Sequence, residues 1–184
     1  MTSRVAKFLG SIGSLLMFAW LFLPHLGGAI AVVGSVLLLL AVKQISNATK
    51  DLTIFRNYFV AFILFLVVII FSSAIFLTIS ITDIRNMDLE SLEALVLLFL
   101  PIIIVIWIFS IMSAIFLRKS FKKIAEKTRV DLFKTAANVF LVSSILIITF
   151  LGLFVLFIAL LLQFMAFLSL PAESYFMEQN KNST

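Results

Sequence analysis

The chain has 184 residues, 63% of them hydrophobic and 12% charged, with a formal net charge of +5 and a mean hydropathy of +1.24. Soluble domains run about 45–50% apolar and about 25% charged, so a soluble fold is excluded and lipid must act as solvent for most side chains. The lack of cysteine removes disulfides, iron–sulfur clusters, thiolate zinc sites and covalently attached haem, and a lone histidine, His25, cannot build a multi-histidine metal centre within one chain.

In chain order, "MTSRVAKFLGSIGSLLMFAW" is positive and then apolar like a signal peptide, but no small-x-small cleavage site follows it, and it is read as a retained first span. Residues 8–23 and 28–42 are short apolar runs joined by "LPHLGG", where Pro24 ends a helix and Gly27 and Gly28 allow a reversal, so they predict a short helical hairpin. Residues 57–80 and 94–117 predict two long helices of about 36 Å, enough to cross a hydrocarbon core of roughly 30 Å with some tilt. In the second of these Pro101 is expected to kink the helix. Residues 137–170 would reach about 51 Å as one helix, too long for one crossing. A break at Gly152 predicts a second hairpin, residues 137–151 and 153–169. The alternative is one span to about residue 158 followed by a helix along the interface.

The expected fold is therefore all-α, a polytopic helical membrane bundle of six spans: four short helices in two hairpins at the chain ends and two long central helices. Residues 1–170 form a single transmembrane domain and residues 171–184 a polar tail. Basic residues stay cytoplasmic more often than they are translocated. Six spans put Arg4 and Lys7, the connector at residues 43–56 and the connector at residues 118–134 on one side, while "ITDIRNMDLESLE" carries Asp83, Asp88, Glu90 and Glu93 against Arg85 outside. The predicted location is the cell membrane, multi-pass, with the N-terminus cytoplasmic. Five spans would misplace only the weakly charged tail with Lys181.

The two connectors echo one another. "KQISNATKDLTIFR" and "KKIAEKTRVDLFK" share a lysine (Lys43, Lys122), an isoleucine (Ile45, Ile124), a small residue (Ser46, Ala125), a threonine (Thr49, Thr128) and a following cation (Lys50, Arg129), then close on Phe55 or Phe133 and Arg56 or Lys134. Each joins a span entering the cytoplasm to one leaving it, which describes a parallel internal repeat. Convergence under the positive-inside rule is the competing explanation. Thr49 or Asp51, and Thr128 or Asp131, are candidate N-caps of the following helices. Phe121, Ile124, Ala125 and Phe133 share one apolar face, opposite Lys122 with Glu126 and Lys127 with Asp131. Such a stretch can seat on anionic headgroups at roughly 1 kcal/mol per cation, through Lys43, Lys50, Arg56, Arg118, Lys119, Lys122, Lys123, Lys127, Arg129 and Lys134; plain orientation and solubility explain the same charges.

The runs "KFLGSIGSLL" and "LGGAIAVVGSVLLLLAVKQIS", with "RKSFKKIAEKTRVDLFKTA" before a final apolar stretch, resemble the small archaeal and bacterial membrane proteins grouped as domain-of-unknown-function family 996. The resemblance implies a multi-span membrane protein over nearly the whole chain and brings no catalytic residue.

No charged residue lies well inside any run, which argues against a proton-coupled pump. The intramembrane polar groups that matter most are Asn138 and Gln163, because an amide cannot be satisfied by its own helix and must face another helix, another subunit or water. Gly10 with Gly13, Gly27 with Ala31 and Ser35, and Ser110 with Ala114 put small residues on shared faces for close helix approach. Trp20 and Tyr58 are expected at the interfaces, Trp107 within the packing. No nucleophile–base pair, phosphate loop or metal constellation appears, so no catalytic, cofactor-binding or metal-binding residue is expected, and neither a cofactor nor a nucleic-acid partner. The expected function is non-enzymatic: an accessory subunit or lipid-associated scaffold whose partners are membrane lipids and either further copies of itself or a larger membrane complex. The alternative is a small channel or facilitator for a neutral or hydrophobic solute.

Overall fold

The computed structural model describes residues 2–23, 27–81, 88–149 and 151–171. These form six α-helices: α1 (Thr2–Ala19), α2 (Gly27–Ala48), α3 (Leu52–Ile81), α4 (Leu89–Thr128), α5 (Leu132–Leu146) and α6 (Leu151–Leu168), with a 3₁₀ turn over Trp20–Phe22 and no strand among the described residues. The helices over Gly28–Ala48, Leu52–Ile79, Glu93–Thr128 and Leu151–Leu168 are long and apolar enough to cross a membrane, and Leu132–Leu146 is a shorter apolar helix. Helix α3 is crowded with Ile, Val, Thr and Phe, residues with modest helix propensity in water. In hydrocarbon the alternative is an unpaired backbone, so the helix wins regardless.

The apolar runs underestimate the central helices, because a helix does not stop where hydrophobicity does. Helix α4 continues past residue 117 to Thr128 and passes through Pro101, reaching 40 residues, or about 60 Å. The break in the last run lies where Gly152 stands, but α5 ends at Leu146 and α6 begins at Leu151. A Cβ on Gly152 would sit 2.4 Å from the Ile147 backbone, so only glycine permits this tight a return. The segments holding Pro24 and His25, Asp83 and Arg85, and the tail with Lys181 lie outside the described residues.

The helices form a closed ring. Each packs on its neighbour in sequence, and α6 returns to pack on α1. Contacts fix the directions: Ser113 Oγ of α4 donates to Ala61 O of α3 and Ser120 Oγ to Ile54 O. Arg118 meets Asn138 while Trp107 meets Ile145 O. Along the closing seam, Gly10, Ser14 and Phe18 of α1 meet Phe167, Gln163 and Phe157 of α6 in that order. These neighbours are antiparallel, so α5 and α6 are a hairpin built into the ring.

The tightest packing lies at the end of the ring where the two polar connectors are. Phe133 and Phe167 meet edge to face at 5.1 Å, Phe121 meets Phe133 at 5.4 Å, and Tyr58 stacks on Phe121 at 6.1 Å. Ile54, Ile124, Ala136 and Ala137 are fully buried around them. The apolar face predicted for Phe121, Ile124, Ala125 and Phe133 is thus the core itself. Away from this end α3 and α4 expose Ile70, Phe71, Phe76, Leu77 and Val96 to Leu98, as expected of residues that lipid covers.

Glycine decides how closely the helices meet. A Cβ on Gly13 would lie 2.8 Å from Gly34 O, and a Cβ on Gly34 would lie 2.9 Å from Gly13 O. A Cβ on Gly10 would lie 2.1 Å from the Phe167 ring, which cannot yield because Phe121 and Phe133 hold it. Gly10→Ala and Gly13→Ala should each cost on the order of 1–3 kcal/mol by overpacking. Gly28→Ala, whose new methyl would meet only Ser73 Oγ at 3.9 Å, should be neutral. Thermal unfolding in mild detergent checks this, and equal midpoints for all three variants would dismiss the close seams.

Candidate functional site

Two regions concentrate polar chemistry, the connector end of the ring and a cavity in its middle. At the connector end α2 stops where the chain turns left-handed: Lys50 has φ of 54°. The Asp51 amide donates to Ser46 O at 3.1 Å and the Lys50 amide to Asn47 O at 3.3 Å, the paired bonds of a Schellman closure, whose left-handed position normally holds glycine. The second connector repeats the feature: Arg129 has φ of 55°. The preceding threonines also match, Thr49 Oγ1 donating to Ile45 O and Thr128 Oγ1 to Ile124 O. Those hydroxyls are therefore spent on the helix behind them and cap nothing ahead. Asp51 does cap α3, accepting from the Thr53 amide at 3.0 Å, whereas Asp131 at the start of α5 makes no side-chain cap bond.

The connectors also bind each other. Lys123 Nζ of α4 donates to Thr53 Oγ1 and stands 3.8 Å from the Asp51 carboxylate. The Thr53 hydroxyl, then its amide and the charges of Lys123 and Lys127, hold the Asp51 carboxyl below its ordinary value of 3.8 against the opposing effect of partial burial. The four-apart pairs Lys122–Glu126 and Lys127–Asp131 do not close as ion pairs among the described residues. Arg118 is drawn inward, its Nε donating to Asn138 Oδ1 at 2.8 Å, and Lys119 lies 5.0 Å from the Phe116 ring and Lys43 6.0 Å from the Phe55 ring. Lys43, Lys50, Arg56, Lys119, Lys127, Arg129 and Lys134 are exposed, Lys122 and Lys123 half-buried. With Arg4 and Lys7 at the start of α1, every described cation is at this end. Asp88, Glu90 and Glu93 are at the other.

The cavity holds about 150 Å³ and is bordered by all six helices. Its wall is mostly apolar, with Tyr58 and Leu38 toward the aromatic floor and Trp20, Phe65 and Leu156 further along. Ser35, Ser113, Ser143 and Ser144 face it with hydroxyls already donated to the carbonyls of Val32, Ala61, Phe140 and Leu141. Gln163 is buried in the wall, its Nε2 donating to Ser14 Oγ at 3.0 Å, which in turn donates to Gly10 O at 2.8 Å. Asn138 and Gln163 are each hydrogen-bonded to a neighbouring helix and not to one another. Tyr58 was expected at an interface. It is instead 6% exposed, because the Phe121 ring offers its apolar body a stacking partner inside the bundle. Trp107 is in the packing, donating to Ile145 O at 3.2 Å. Gly34, Thr53 and Ser120 were missed as contact residues, and only the small-residue spacing from Gly27 through Ala31 and Ser35 hinted at the face next to Gly34.

Helices able to cross a bilayer, closed into a ring with every described cation at one end, define a helical membrane protein. The chain belongs to the family described as "Protein of unknown function (DUF996)", whose profile matches residues 30–161, from α2 into α6 and across both connectors. It is 30% identical over 175 residues, 93% of this chain and 94% of the other, to the uncharacterized protein MJ1644 of Methanocaldococcus jannaschii. No solved structure matches.

The Asp51 cap sets a pH dependence. Its carboxyl is depressed in the folded state, so its stabilisation is complete above about pH 3.8 and is lost as pH falls through the lower folded value, where the unfolded chain has already taken the proton. Asp51→Ala should therefore lower stability by about 1 kcal/mol at pH 7, and the deficit should shrink as pH falls below 3.8. Unfolding midpoints of both proteins across this range check it; a deficit constant with pH would remove the electrostatic part of the cap.

Proposed function

We propose that the protein is a non-enzymatic, lipid-associated membrane scaffold, acting alone as a homo-oligomer or as an accessory subunit of a larger membrane complex. In this reading it crosses the membrane six times with its N-terminus and both connectors cytoplasmic, and the connectors seat on anionic headgroups. The observation that carries the proposal is the residue type at the two left-handed turns. A side chain other than glycine costs about 1–2 kcal/mol there, yet Lys50 and Arg129 occupy both positions. A cation kept where glycine is favoured suggests that its charge is used, and a phosphate-bearing surface lies where that charge points in the six-span arrangement. The groups facing the cavity support the non-enzymatic part: hydroxyls and one amide bind and orient, while among the described residues no carboxylate, histidine or lysine is beside them to move a proton.

The cavity supports a second reading, a facilitator for a neutral or hydrophobic solute. Passage would require the aromatic floor of Tyr58, Phe121, Phe133 and Phe167 to part, so the scaffold is preferred. Vesicles containing the protein that pass a neutral solute faster than empty vesicles would reverse the preference.

Two opposite effects test the proposal. Lys50→Gly and Arg129→Gly should each raise stability in neutral detergent by about 1 kcal/mol by relieving the turn. In nanodiscs the wild type should unfold at a higher temperature with phosphatidylglycerol than with phosphatidylcholine alone, a gain that fades in high salt and is smaller in the glycine variants. An identical lipid response in wild type and variants would rule out headgroup seating.

A further inference from the structure

The geometry points to the central cavity as a binding site for one small, uncharged, largely apolar molecule that carries a single hydrogen-bond-accepting oxygen, such as a cyclic ketone. This goes beyond the scaffold reading and does not depend on it, since the headgroup surface is elsewhere.

The inference starts from a mismatch between the polar atoms of the wall and their partners. Tyr58 is 94% buried by its 6% exposure, but its hydroxyl has no hydrogen-bond partner among the described residues. The Ser110 hydroxyl and the amide oxygen of Gln163 also lack one. Elsewhere in the wall the serine protons are already donated to carbonyls. The unpaired atoms are not sealed in protein, because Ser11 Oγ is the one described side-chain polar atom both occluded and without a partner. They border the open space of the cavity. A buried phenol normally finds an acceptor, and leaving a buried donor unpaired costs about 1–3 kcal/mol.

The position of these groups narrows the occupant. Gln163 is one helical turn from Phe167, and Tyr58 stacks on Phe121 at 6.1 Å, which meets Phe167 edge-on. The phenol donor is therefore just above the aromatic floor, at one end of a chamber whose wall is mostly apolar. A molecule with its oxygen at the floor and its hydrocarbon toward Trp20, Phe65 and Leu156 matches this polarity. Water does not match most of it: the volume is about ten times what one water needs, and away from Tyr58, Ser110 and Gln163 the wall is apolar or has its serine protons already donated. Among the described residues no charged side chain lines the space, so an ion or a zwitterion would be stranded in it.

The test uses the full chain in phosphatidylcholine nanodiscs with Trp107→Phe, leaving Trp20 in the cavity wall as the one tryptophan. Cyclohexanone is titrated against methylcyclohexane, nearly equal in size but without an acceptor, and Trp20 emission is followed. The ketone should bind saturably and about tenfold more tightly than the hydrocarbon, and Tyr58→Phe should abolish that preference while hydrocarbon binding persists. If Tyr58→Phe does not fold, Ser110→Ala, which removes the other free donor of the wall, must reduce the preference. Equal affinity for the two probes, a preference unchanged by these substitutions, or no saturable binding of either would each overturn the assignment. A saturable preference for cyclohexylammonium would overturn the neutral character of the site.

Discussion

The contact that holds the rest in place is the meeting of Gly10 with the Phe167 ring, the point where α6 returns to α1 and the ring closes. In water, burying apolar side chains would pull such helices together. In lipid that drive is nearly absent, because hydrocarbon surrounds the helix whether it associates or not, and association rests on close packing and interhelical hydrogen bonds. Phe167 is wedged between Phe121 of α4 and Phe133 of α5, so one small residue on α1 lets an aromatic ring tie three other helices together. The Gln163–Ser14 bond, one turn along the same seam, adds direction. Without this closure the ends of the ring would part, and neither a floor nor a cavity would exist.

The architecture was legible because lipid leaves a chain few choices. Once composition ruled out water as the main solvent, each long apolar run had to be a helix, and the turns at "LPHLGG" and Gly152 followed from residue chemistry. Helix lengths were less legible, since the criterion was hydrophobicity. Helices α3 and α4 overrun the apolar runs because their polar ends are stabilised by partners on other elements, Thr53 by Lys123 and Ile54 O by Ser120. The same dependence on distant partners explains the residue-level differences. Asn138 could be recognised as needing a partner, but nothing local indicates that Arg118, twenty positions earlier, would provide it. Tyr58 reads as an interfacial anchor from its type alone, and only the position of Phe121 shows it to be core.

The two echoed connectors bear on how alike two segments are when their sequences rhyme. Their shared features are backbone features: threonine bonded to the carbonyl four residues back, then a cation in left-handed conformation. Their differences lie ahead of the turn. Asp51 caps α3, while Asp131 caps nothing, and Lys123 from the second connector reaches over to the first with no reciprocal contact from Lys43, which rests near Phe55. The echo therefore specifies how a helix ends, and the following helix start is built differently each time. A duplication that diverged and two turns that converged both leave this pattern. What either requires is that a basic side chain tolerates the left-handed turn on both occasions.

The tyrosine at the floor separates packing from function within one side chain. Its stacking on Phe121 uses only the ring, and phenylalanine would stack as well. The floor is otherwise built of Phe121, Phe133 and Phe167, so a hydroxyl is not needed to close it. The hydroxyl does add a donor inside a low-dielectric enclosure, where an unpaired polar group is at its most costly. Ser113, Ser143 and Ser144 avoid that cost by bonding back to their own helices or across to α3, which the Tyr58 hydroxyl does not do. The phenol is thus a buried donor at the wall of the cavity that the packing of the floor does not use.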